Sequence, residues 1–334
     1  MDLERIKDIL KNEPAFRMKQ SYKAVFSDLA DDWASVSVLP LPLREKLSEE
    51  APLSIKAEIN EAKDKKSAKA AIDLGDVWVE TVLMKHKDGR NTVCVSTQAG
   101  CKMACDFCLT GKMGFKRNLD HQEIIIQVLF FARYLKKSGQ RVSNVVFMGM
   151  GEPLDNYEEV IKAVRSLNDP ETFNIGARKI SVSTVGLVDG INKLSSEPLQ
   201  INLAVSLHAP NDKLRNKLMP ISRLYPIKGL MKAISNYIKR TKRKVMIEYI
   251  MLSGINDSQS AAKELAELLK KELGELFTVN LIAYNQTGKY EASKAKDVKK
   301  FKDILESSGI EVVQRYKFGR DIKAACGQLA GEIK

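Results

Sequence analysis

From residue 91 onward the chain alternates short, continuously apolar runs with stretches whose apolar residues recur at helical spacing. Continuous apolar runs rich in β-branched residues are typical of strands in a parallel sheet that is covered by helices. The apolar runs lie at residues 92–96, 144–148, 179–183, 201–206, 245–250 and 279–283. Helical stretches separate them, for example at residues 121–137, 227–240, 258–273 and 298–307. The alternation predicts an α/β fold with a parallel sheet, and it leaves open whether that sheet is doubly wound or forms a complete or partial barrel.

A polar or glycine-rich cluster follows most of these predicted strands. Five clusters lie at residues 97–101, 149–153, 183–186, 206–210 and 285–288. The carboxyl ends of parallel strands meet at one edge of a sheet, where α/β proteins carry their chemistry, so we expect the five clusters to converge on one site. In the second cluster, Gly149 and Gly151 would let the backbone approach a small ligand. Glu152 would accept hydrogen bonds from an ammonium group of that ligand.

The region before residue 91 lacks the regular alternation of strands and helices. Leu3, Ile6 and Ile9 recur at helical spacing, and a proline-containing stretch at residues 39–42 interrupts the helical pattern. A strand-like run follows at residues 77–84. We expect three parts, a small helical N-terminal domain, a β-rich connector and the α/β core, over residues 1–60, 61–90 and 91–334.

The charge of the chain favours a polyanionic partner. The 334 residues include 54 Lys and Arg against 42 Asp and Glu, a net charge of +12. Such an excess suits nucleic acid, because neutralising phosphates releases counterions, although a soluble basic protein with no such partner is an open alternative. No apolar run approaches the roughly 18 residues of a membrane span, and the first residues lack the pattern of a signal peptide. We therefore expect a cytoplasmic protein without a membrane partner.

Three closely spaced cysteines are the sharpest chemical signal. Cys101, Cys105 and Cys108 are separated by three and then two residues, and a reducing compartment favours metal ligation over disulfides for such a group. Three thiolates on one loop would hold three irons of a cubane cluster and leave one iron open. The alternative is structural zinc, which requires a fourth ligand such as Cys94 or a distant histidine.

The motifs together resemble one family. An aromatic residue precedes the last cysteine of the loop, as in the radical S-adenosylmethionine (SAM) superfamily. Further motifs lie at residues 79–82, 93–101, 114–119, 148–154, 183–186, 206–212 and 321–329. With these motifs the chain resembles the RlmN/Cfr family of radical-SAM RNA methyltransferases, more closely its RlmN branch, from about Val77 to Ala330. The resemblance implies a partial (β/α)6 TIM-like barrel as radical-SAM core, with the small helical N-terminal domain as an RNA-binding accessory.

The resemblance also implies roles for individual residues. One 4Fe–4S cluster would be bound by Cys101, Cys105 and Cys108. SAM would be contacted by Gly151, Glu152, Ser183, Ser206, Leu207, His208 and Asn285. Cys326 would carry the methyl group, Cys94 would resolve a covalent intermediate, and Glu80, in the connector, would act as general base.

The implied reaction is methylation of C2 of an adenosine in the peptidyl-transferase centre of 23S rRNA and, in some members, in tRNA next to the anticodon. An sp2 carbon such as adenine C2 is not nucleophilic, so a radical is needed. Two SAM molecules would be consumed per turnover, one to methylate Cys326 and one to generate the radical. A reductase or flavodoxin-type protein would supply electrons, and we expect a monomer.

Several alternatives remain open at this level. A Cfr-like enzyme would use the same apparatus to methylate adenine C8, and a non-catalytic metal- or cluster-binding RNA protein would use the cysteines only structurally. Taken singly, Cys326 and Cys94 are typical of small buried hydrophobes. Glu80 would suit the solvent face of an alternating strand, and His208 would suit a turn.

Basic residues near the cysteine loop are candidates for RNA contact. Lys112, Lys116 and Arg117 flank the loop, where a flipped base would enter. The basic runs at residues 213–217 and 239–244 are more typical of solvated faces. The segment at residues 109–113 departs from the Ala/Ser-Thr opening that is commoner in the family.

Overall fold

The computed structural model describes residues 1–314, 319 and 321–330. Its first part is helical, with α1 (Leu3–Leu10), α2 (Ala15–Tyr22) and α3 (Leu41–Glu50). The Asp2 carboxylate accepts a hydrogen bond from Arg5 N at 2.9 Å and so begins α1. Trp33 is fully buried between these helices and donates to the Ala51 carbonyl at 2.8 Å. The N-terminal helices pack around Trp33 and share the main hydrophobic core with the rest of the chain.

Three antiparallel strands follow the helices, β1 (Ala57–Glu61), β2 (Ser67–Asp73) and β3 (Trp78–Lys85). The polar residues between β1 and β2, which look like a linker in the sequence, form a tight turn. β3 pairs antiparallel with β4 (Asn91–Cys94), the first strand of the core, so the three strands of the connector belong to the main sheet.

The core begins with β4 and runs through alternating strands and helices. The further strands are β4 (Asn91–Cys94), β5 (Gln98–Gly100), β6 (Phe115–Asn118), β7 (Asn144–Phe147), β8 (Ile180–Thr184), β9 (Asn202–Ser206), β10 (Val245–Met251), β11 (Phe277–Ala283) and β12 (Val312–Gln314). The further helices are α4 (Leu109–Lys112), α5 (His121–Lys136), α6 (Tyr157–Asn168), α7 (Val188–Leu194), α8 (Asp212–Leu218), α9 (Ile227–Thr241), α10 (Gln259–Leu273) and α11 (Ala295–Ser307). The predicted core over residues 91–334 includes positions outside the described residues.

The strands of the core are parallel and lie in chain order. In the described residues the large sheet has the order β1-β2-β3-β4-β7-β8-β9-β10-β11-β12, and β5 pairs with β6 in a separate ribbon. Six strands, β4 and β7 to β11, form consecutive parallel β/α units, the arrangement of a partial barrel. The predicted α/β architecture with a parallel sheet is confirmed.

The strands bury different residues on their two faces. Apolar side chains of one face join the main hydrophobic core with the helices, for example Phe147, Val182, Ile247 and Leu281. Alternate residues line an interior cavity of about 360 Å³, for example Val146, Ser181, Met246 and Asn280. Small and polar residues inside the barrel therefore leave room for ligands at its centre.

The N-terminal helices are fastened to α5. Arg133 Nη1 donates to the Leu53 carbonyl at 2.7 Å, and Leu3 N donates to Gln122 Oε1 at 2.7 Å. These contacts reach from both ends of the helical region to one core helix. Among the described residues, no helix combines the length and apolarity required to cross a bilayer.

Candidate active site

The three-cysteine loop lies between β5 and β6, the two paired strands of the small ribbon. Cys101 N donates to the Gly114 carbonyl at 2.9 Å, which closes the base of the loop. Gly100 has a φ of +81°, and a Cβ at this position would lie 2.0 Å from that carbonyl oxygen. Only glycine fits there, because any side chain would collide with the backbone of the opposite strand.

Apolar packing fixes the shape of the loop. Met103 and Phe107 are buried against Leu218 and Met219 at the end of α8. Asp106 N donates to the Leu218 carbonyl at 2.9 Å. The loop is thus held by a satellite core, and its three cysteines face a cavity of about 150 Å³.

The three thiols share one dehydrated environment. Burial raises the pKa of Cys101 to about 12 and also raises the pKa of Cys105. The charge of Cys108 adds to both shifts, so the three sulfurs lie within electrostatic range of one another. Thiolates in such a site need cationic partners, and the irons of a cluster are suitable ones.

The alternative of a structural zinc ion needs a fourth ligand beside the three cysteines. Cys94, the sequence candidate for a fourth zinc ligand, lines the 360 Å³ cavity rather than the cavity of the three-cysteine loop. The arrangement therefore fits a cluster held by three thiolates better than tetrahedral zinc.

A buried guanidinium also fits a cluster at this place. Arg215 is 1% exposed, and it donates to the carbonyls of Tyr225 at 3.0 Å and Val185 at 2.5 Å. Its Nε has no hydrogen-bond partner among the described residues. Burial lowers the pKa of Arg215 to about 10, and the negative charges of Asp212 and then of Cys105 oppose that shift. Arg215 donates to two neutral carbonyls, and an anionic iron–sulfur cluster would add to the compensation that Asp212 gives its buried charge.

Glu152 lies on the opposite wall of the same cavity. Its Oε1 accepts from Leu154 N at 3.0 Å and its Oε2 accepts from Val185 N at 2.8 Å. The residue is 2% exposed, and burial raises its pKa to about 7. Two backbone amides thus fix the carboxylate, and each oxygen keeps a further lone pair for a ligand.

The glycines beside Glu152 have a structural reason that sequence alone did not indicate. A Cβ on Gly149 would lie 2.7 Å from Ser96 Oγ, and a Cβ on Gly151, whose φ is +101°, would lie 2.6 Å from Gln98 Cβ. Both glycines line the cavity, as expected. Their lack of side chains is required by close packing against the loop after β4, so the ligand is not needed to explain them.

Ser183 and Ser206 line the cavity at the ends of β8 and β9. Ser183 Oγ donates to Glu248 Oε2 at 3.1 Å, and Asn280 Nδ2 lies 3.4 Å from Glu248 Oε1. Glu248 is 4% exposed and lines the same cavity. Sequence reasoning missed this carboxylate, although a single acidic residue inside the apolar run at residues 245–250 is a signal that would have found it.

His208 lines the cavity as a neutral imidazole. Its φ is +59°, and its Nδ1 accepts from Ile250 N at 3.1 Å, which leaves the ring proton on Nε2. Burial lowers the pKa of His208 to about 3. The Phe107 ring packs edge-on against it, with 5.0 Å between ring centroids. His208 is therefore both a residue fixed in a turn by its hydrogen bond and a residue that lines the cavity.

Two further candidates lie elsewhere. Leu207 is fully buried in the main hydrophobic core, and it is absent from the residues that line either of these cavities. Asn285 lines the 360 Å³ cavity, and its Nδ2 lies 3.3 Å from the Cys326 carbonyl oxygen. The structure thus associates Asn285 with the backbone of Cys326.

Cys326 lies where the two cavities meet. It lines the cavity of the three-cysteine loop and also the 360 Å³ cavity, and Met148 and Ile282 are shared in the same way. Cys94 lines the larger cavity from β4 and is buried, whereas Cys326 is exposed. The two isolated cysteines of the sequence therefore face one space that is continuous with the cluster site.

Glu80 is buried on β3 and does not face solvent. It is 1% exposed, and Lys69 Nζ lies 2.6 Å from its Oε1. Ala330 N donates to its Oε2 at 2.7 Å. Glu80 lines a third cavity of about 540 Å³, which does not include Cys94 or Cys326. Lys69 is a further residue that sequence reasoning missed, because a lysine in a polar hairpin carries no local signal.

The basic residues near the loop differ in their contacts. Arg117 pairs with Asp76 at 2.7 Å and with Glu123 at 2.7 Å, and these carboxylates raise its pKa. Lys116 is exposed. The expectation that Arg117 faces RNA therefore loses its support, since its guanidinium holds the connector to α5.

Known proteins resemble this chain over nearly its full length. Residues 95–269 match the family model described as the radical SAM superfamily. The chain is 42% identical to a probable dual-specificity RNA methyltransferase RlmN of Dictyoglomus thermophilum, covering 98% of this chain and 94% of that protein. It is 41% identical to the ribosomal RNA large subunit methyltransferase N of Nitrosopumilus maritimus, covering 95% and 93%. A crystal structure of a radical SAM methyltransferase from Sphaerobacter thermophilus matches with a TM-score of 0.94 at 42% identity, covering 99% of this chain and 98% of that one.

Proposed function

We propose that this chain, which belongs to the radical SAM superfamily and within it to the RlmN family of RNA methyltransferases, methylates C2 of an adenosine in 23S rRNA and also in tRNA next to the anticodon. The observation that carries the proposal is the position of Cys326 at the junction of two cavities. One cavity holds the three cluster cysteines, and the other holds Cys94. A methyl carrier must reach both the SAM site and the base.

The family implies a 4Fe–4S cluster and SAM. Cys101, Cys105 and Cys108 would hold the cluster, and we propose two SAM molecules per turnover. A cluster held there would supply the electron for reductive cleavage of one SAM to a 5′-deoxyadenosyl radical, and the other SAM would be the source of the methyl group. The buried charge of Arg215 would stabilise the anionic cluster.

Residues on the other walls would hold SAM. The fixed carboxylate of Glu152 would accept hydrogen bonds from its ammonium group, and Ser183 and Ser206 would bind its polar groups at the ends of β8 and β9. His208 would donate from Nε2 as a neutral ring, so it adds no positive charge near a sulfonium. Glu248 would add a carboxylate acceptor that suits hydroxyl groups.

Cys326 would carry the methyl group in three steps. Its thiolate takes a methyl group from SAM and becomes a thioether. The 5′-deoxyadenosyl radical would then take a hydrogen atom from the methyl carbon and become 5′-deoxyadenosine, and the carbon radical would form a bond to adenine C2. The adduct radical would lose one electron to the cluster, oxidised by one electron in the cleavage of SAM, and the C2 proton to Glu80, so that the base regains its aromatic ring.

Glu80 and Cys94 would complete the reaction. Glu80 would accept the C2 proton in competition with the Ala330 N–H, which donates to its Oε2 at 2.7 Å. The Cys94 thiolate attacks the sulfur of Cys326, so that a disulfide forms and the released carbon takes up a proton as a methyl group. A reductase or flavodoxin-type donor would reduce the disulfide before the next turnover.

The remaining parts of the proposal concern partners and location. The net charge of +12 supports binding of RNA phosphates, and the helical region at residues 1–60 would add RNA contacts. Within this scheme residues 61–90 form the connector that presents Glu80, and the radical SAM core starts at residue 91. We propose a cytoplasmic monomer, since both RNA substrates and a flavodoxin-type donor are cytoplasmic.

Mass mapping of rRNA and tRNA tests the function directly. A strain lacking the gene should lack 2-methyladenosine at both sites, and the cluster-loaded protein with SAM and a reductant should restore it. A methyl group at C8 would instead identify a Cfr-like enzyme. Cluster binding without SAM cleavage would identify a non-catalytic RNA protein.

A further inference from the structure

The C-terminal segment, residues 321–330, crosses the mouth of the active site and is held from two sides. On one side Ala330 N donates to Glu80 Oε2 at 2.7 Å. On the other side Leu109 N donates to the Gly327 carbonyl at 2.8 Å, and Thr110 Oγ1 donates to the Leu329 carbonyl at 2.6 Å. The three contacts therefore hold residues 327–330, the stretch of the segment that directly follows Cys326.

Thr110 lies directly beyond the three-cysteine loop. Cys108 occupies the position before α4, and Leu109 and Thr110 are the first residues of that helix. Gly327 packs closely here, since a Cβ on it would lie 3.4 Å from the Phe107 carbonyl oxygen. The neighbour of Cys326 in the sequence is thus hydrogen bonded to the neighbour of Cys108.

The bond from Thr110 is buried. Thr110 is 3% exposed and Leu329 is 5% exposed, so water does not readily replace the hydroxyl. A carbonyl left without a donor in such a place is costly. By contrast, the contacts of Asn285 and Gln328 at this end of the segment are longer, at 3.3 Å each, and exposed.

We propose that Thr110 is a positioning residue that docks the C-terminal segment on the cluster loop and thereby sets the place of the Cys326 sulfur. The Thr110 hydroxyl donates to the Leu329 carbonyl, and the backbone N–H of Leu109, the first residue of α4, donates to the Gly327 carbonyl. The consequence for methyl transfer rests on the proposed function, whereas the docking itself does not.

Two threonine variants and one control separate docking from folding. Thr110→Val keeps the shape of the side chain and removes the hydroxyl, and Thr110→Ser keeps the hydroxyl. Thr287→Val is the matched control, because Thr287 Oγ1 donates at 3.0 Å to the carbonyl of Phe107 in the cluster loop and not to the segment. The visible absorption of the cluster reports whether each variant is loaded and folded.

The two measurements are amide hydrogen exchange of the peptide spanning residues 321–330 and the fraction of Cys326 that gains a labelled methyl group. Both use the cluster-loaded protein, and methylation uses SAM with a deuterated methyl group and no RNA. In Thr110→Val we expect exchange to be roughly three- to tenfold faster and methylation slower by a similar factor. We expect Thr110→Ser and Thr287→Val to resemble the wild type in both.

Each other outcome has one meaning. Unchanged exchange in Thr110→Val would overturn the docking role, and faster exchange with wild-type methylation would overturn the positioning role. Faster exchange in Thr287→Val as well would show a general loosening of the loop and would also overturn the proposal. If the wild type gains no methyl group at Cys326, the proposed function fails, and the exchange data alone decide the docking.

Discussion

The three-cysteine loop and the C-terminal segment bring their sulfurs to the same cavity by opposite means. The loop is closed at its base by Cys101 N and the Gly114 carbonyl, and its own apolar residues pack beneath it. The segment depends on partners far away in the chain, Glu80 and Thr110. The loop thus closes on itself, whereas the segment combines long-range hydrogen bonds with packing of Ile322, Ala324 and Leu329 in the main core.

This difference matches the different tasks of the two regions. The proposed cluster ligands would have to remain in place through every turnover, which a packed loop provides. The proposed methyl carrier would have to meet SAM, the base and Cys94 in succession, which requires contacts that break and form again. Substitutions in each region test this difference.

The largest effect is expected from the cluster ligands. Replacing Cys101, Cys105 or Cys108 singly with Ala should abolish cleavage of SAM, because two thiolates do not hold the three irons that the loop would bind. Iron content and the release of 5′-deoxyadenosine measure the effect. A variant with a full cluster and normal cleavage would remove that residue from the ligand set.

The two isolated cysteines should fail in different ways. Cys326→Ala leaves no sulfur for the methyl group, so neither methylated protein nor methylated RNA should form. Cys94→Ala should allow addition to the base but not release, and RNA should accumulate as a covalent adduct on Cys326. A nuclease-sensitive shift on a denaturing gel detects the adduct.

If Cys326 and Cys94 served only to pack the interior, a different result would be expected. Both variants would then lose roughly 1–3 kcal/mol of stability and behave alike. Equal loss of activity, with no adduct from Cys94→Ala, would count heavily against the two-cysteine mechanism.

A smaller effect is expected at the other anchor of the segment. Lys69→Met removes the cation beside the buried Glu80, so the free energy of unfolding should fall by about 1–3 kcal/mol. Urea unfolding measures it, with Lys63→Met as control because Lys63 is exposed on the turn between β1 and β2. Equal midpoints for the two variants would show that the ion pair contributes nothing to stability.

The smallest effect is expected from single surface charges. RNA binding should weaken steeply with salt, and Lys116→Glu should reduce both the affinity and the slope of log K against log salt, because it lies beside the cluster loop. Charge reversal at Lys239, in the distant basic run, should change binding less. A larger effect at Lys239 would place the RNA on the other face of the barrel.

Features that depend on the residue pattern of one short stretch of chain could be predicted from the sequence. The strand predicted at residues 245–250 is β10 (Val245–Met251), and the helix predicted at residues 121–137 is α5 (His121–Lys136). The cysteine spacing predicted a cluster loop for the same reason, and the structure places the three cysteines around one cavity. By contrast, the β1–β2 hairpin was missed because β1 is an exposed edge strand with few apolar residues.

Contacts between distant positions could not be predicted in this way. Thr110 and Leu329 are hydrogen bonded across most of the chain, and neither residue type indicates the other. Arg215 reads as an ordinary helix residue, and only the fold shows that it is buried beside the cluster loop. Residue roles that arise from assembly of the barrel therefore required the structure.

The order of the chain has a consequence for how the enzyme matures in the cell. The C-terminal segment is synthesised after the strands β7 to β11, which contribute walls of the cavity that the three cysteines face. At about 5–20 residues per second, a few seconds separate the completion of β11 from the appearance of Cys326. During that interval the C-terminal segment does not yet lie over the cavity, so the three thiols would be accessible to a protein that delivers the proposed cluster. We expect the segment to dock only after that delivery.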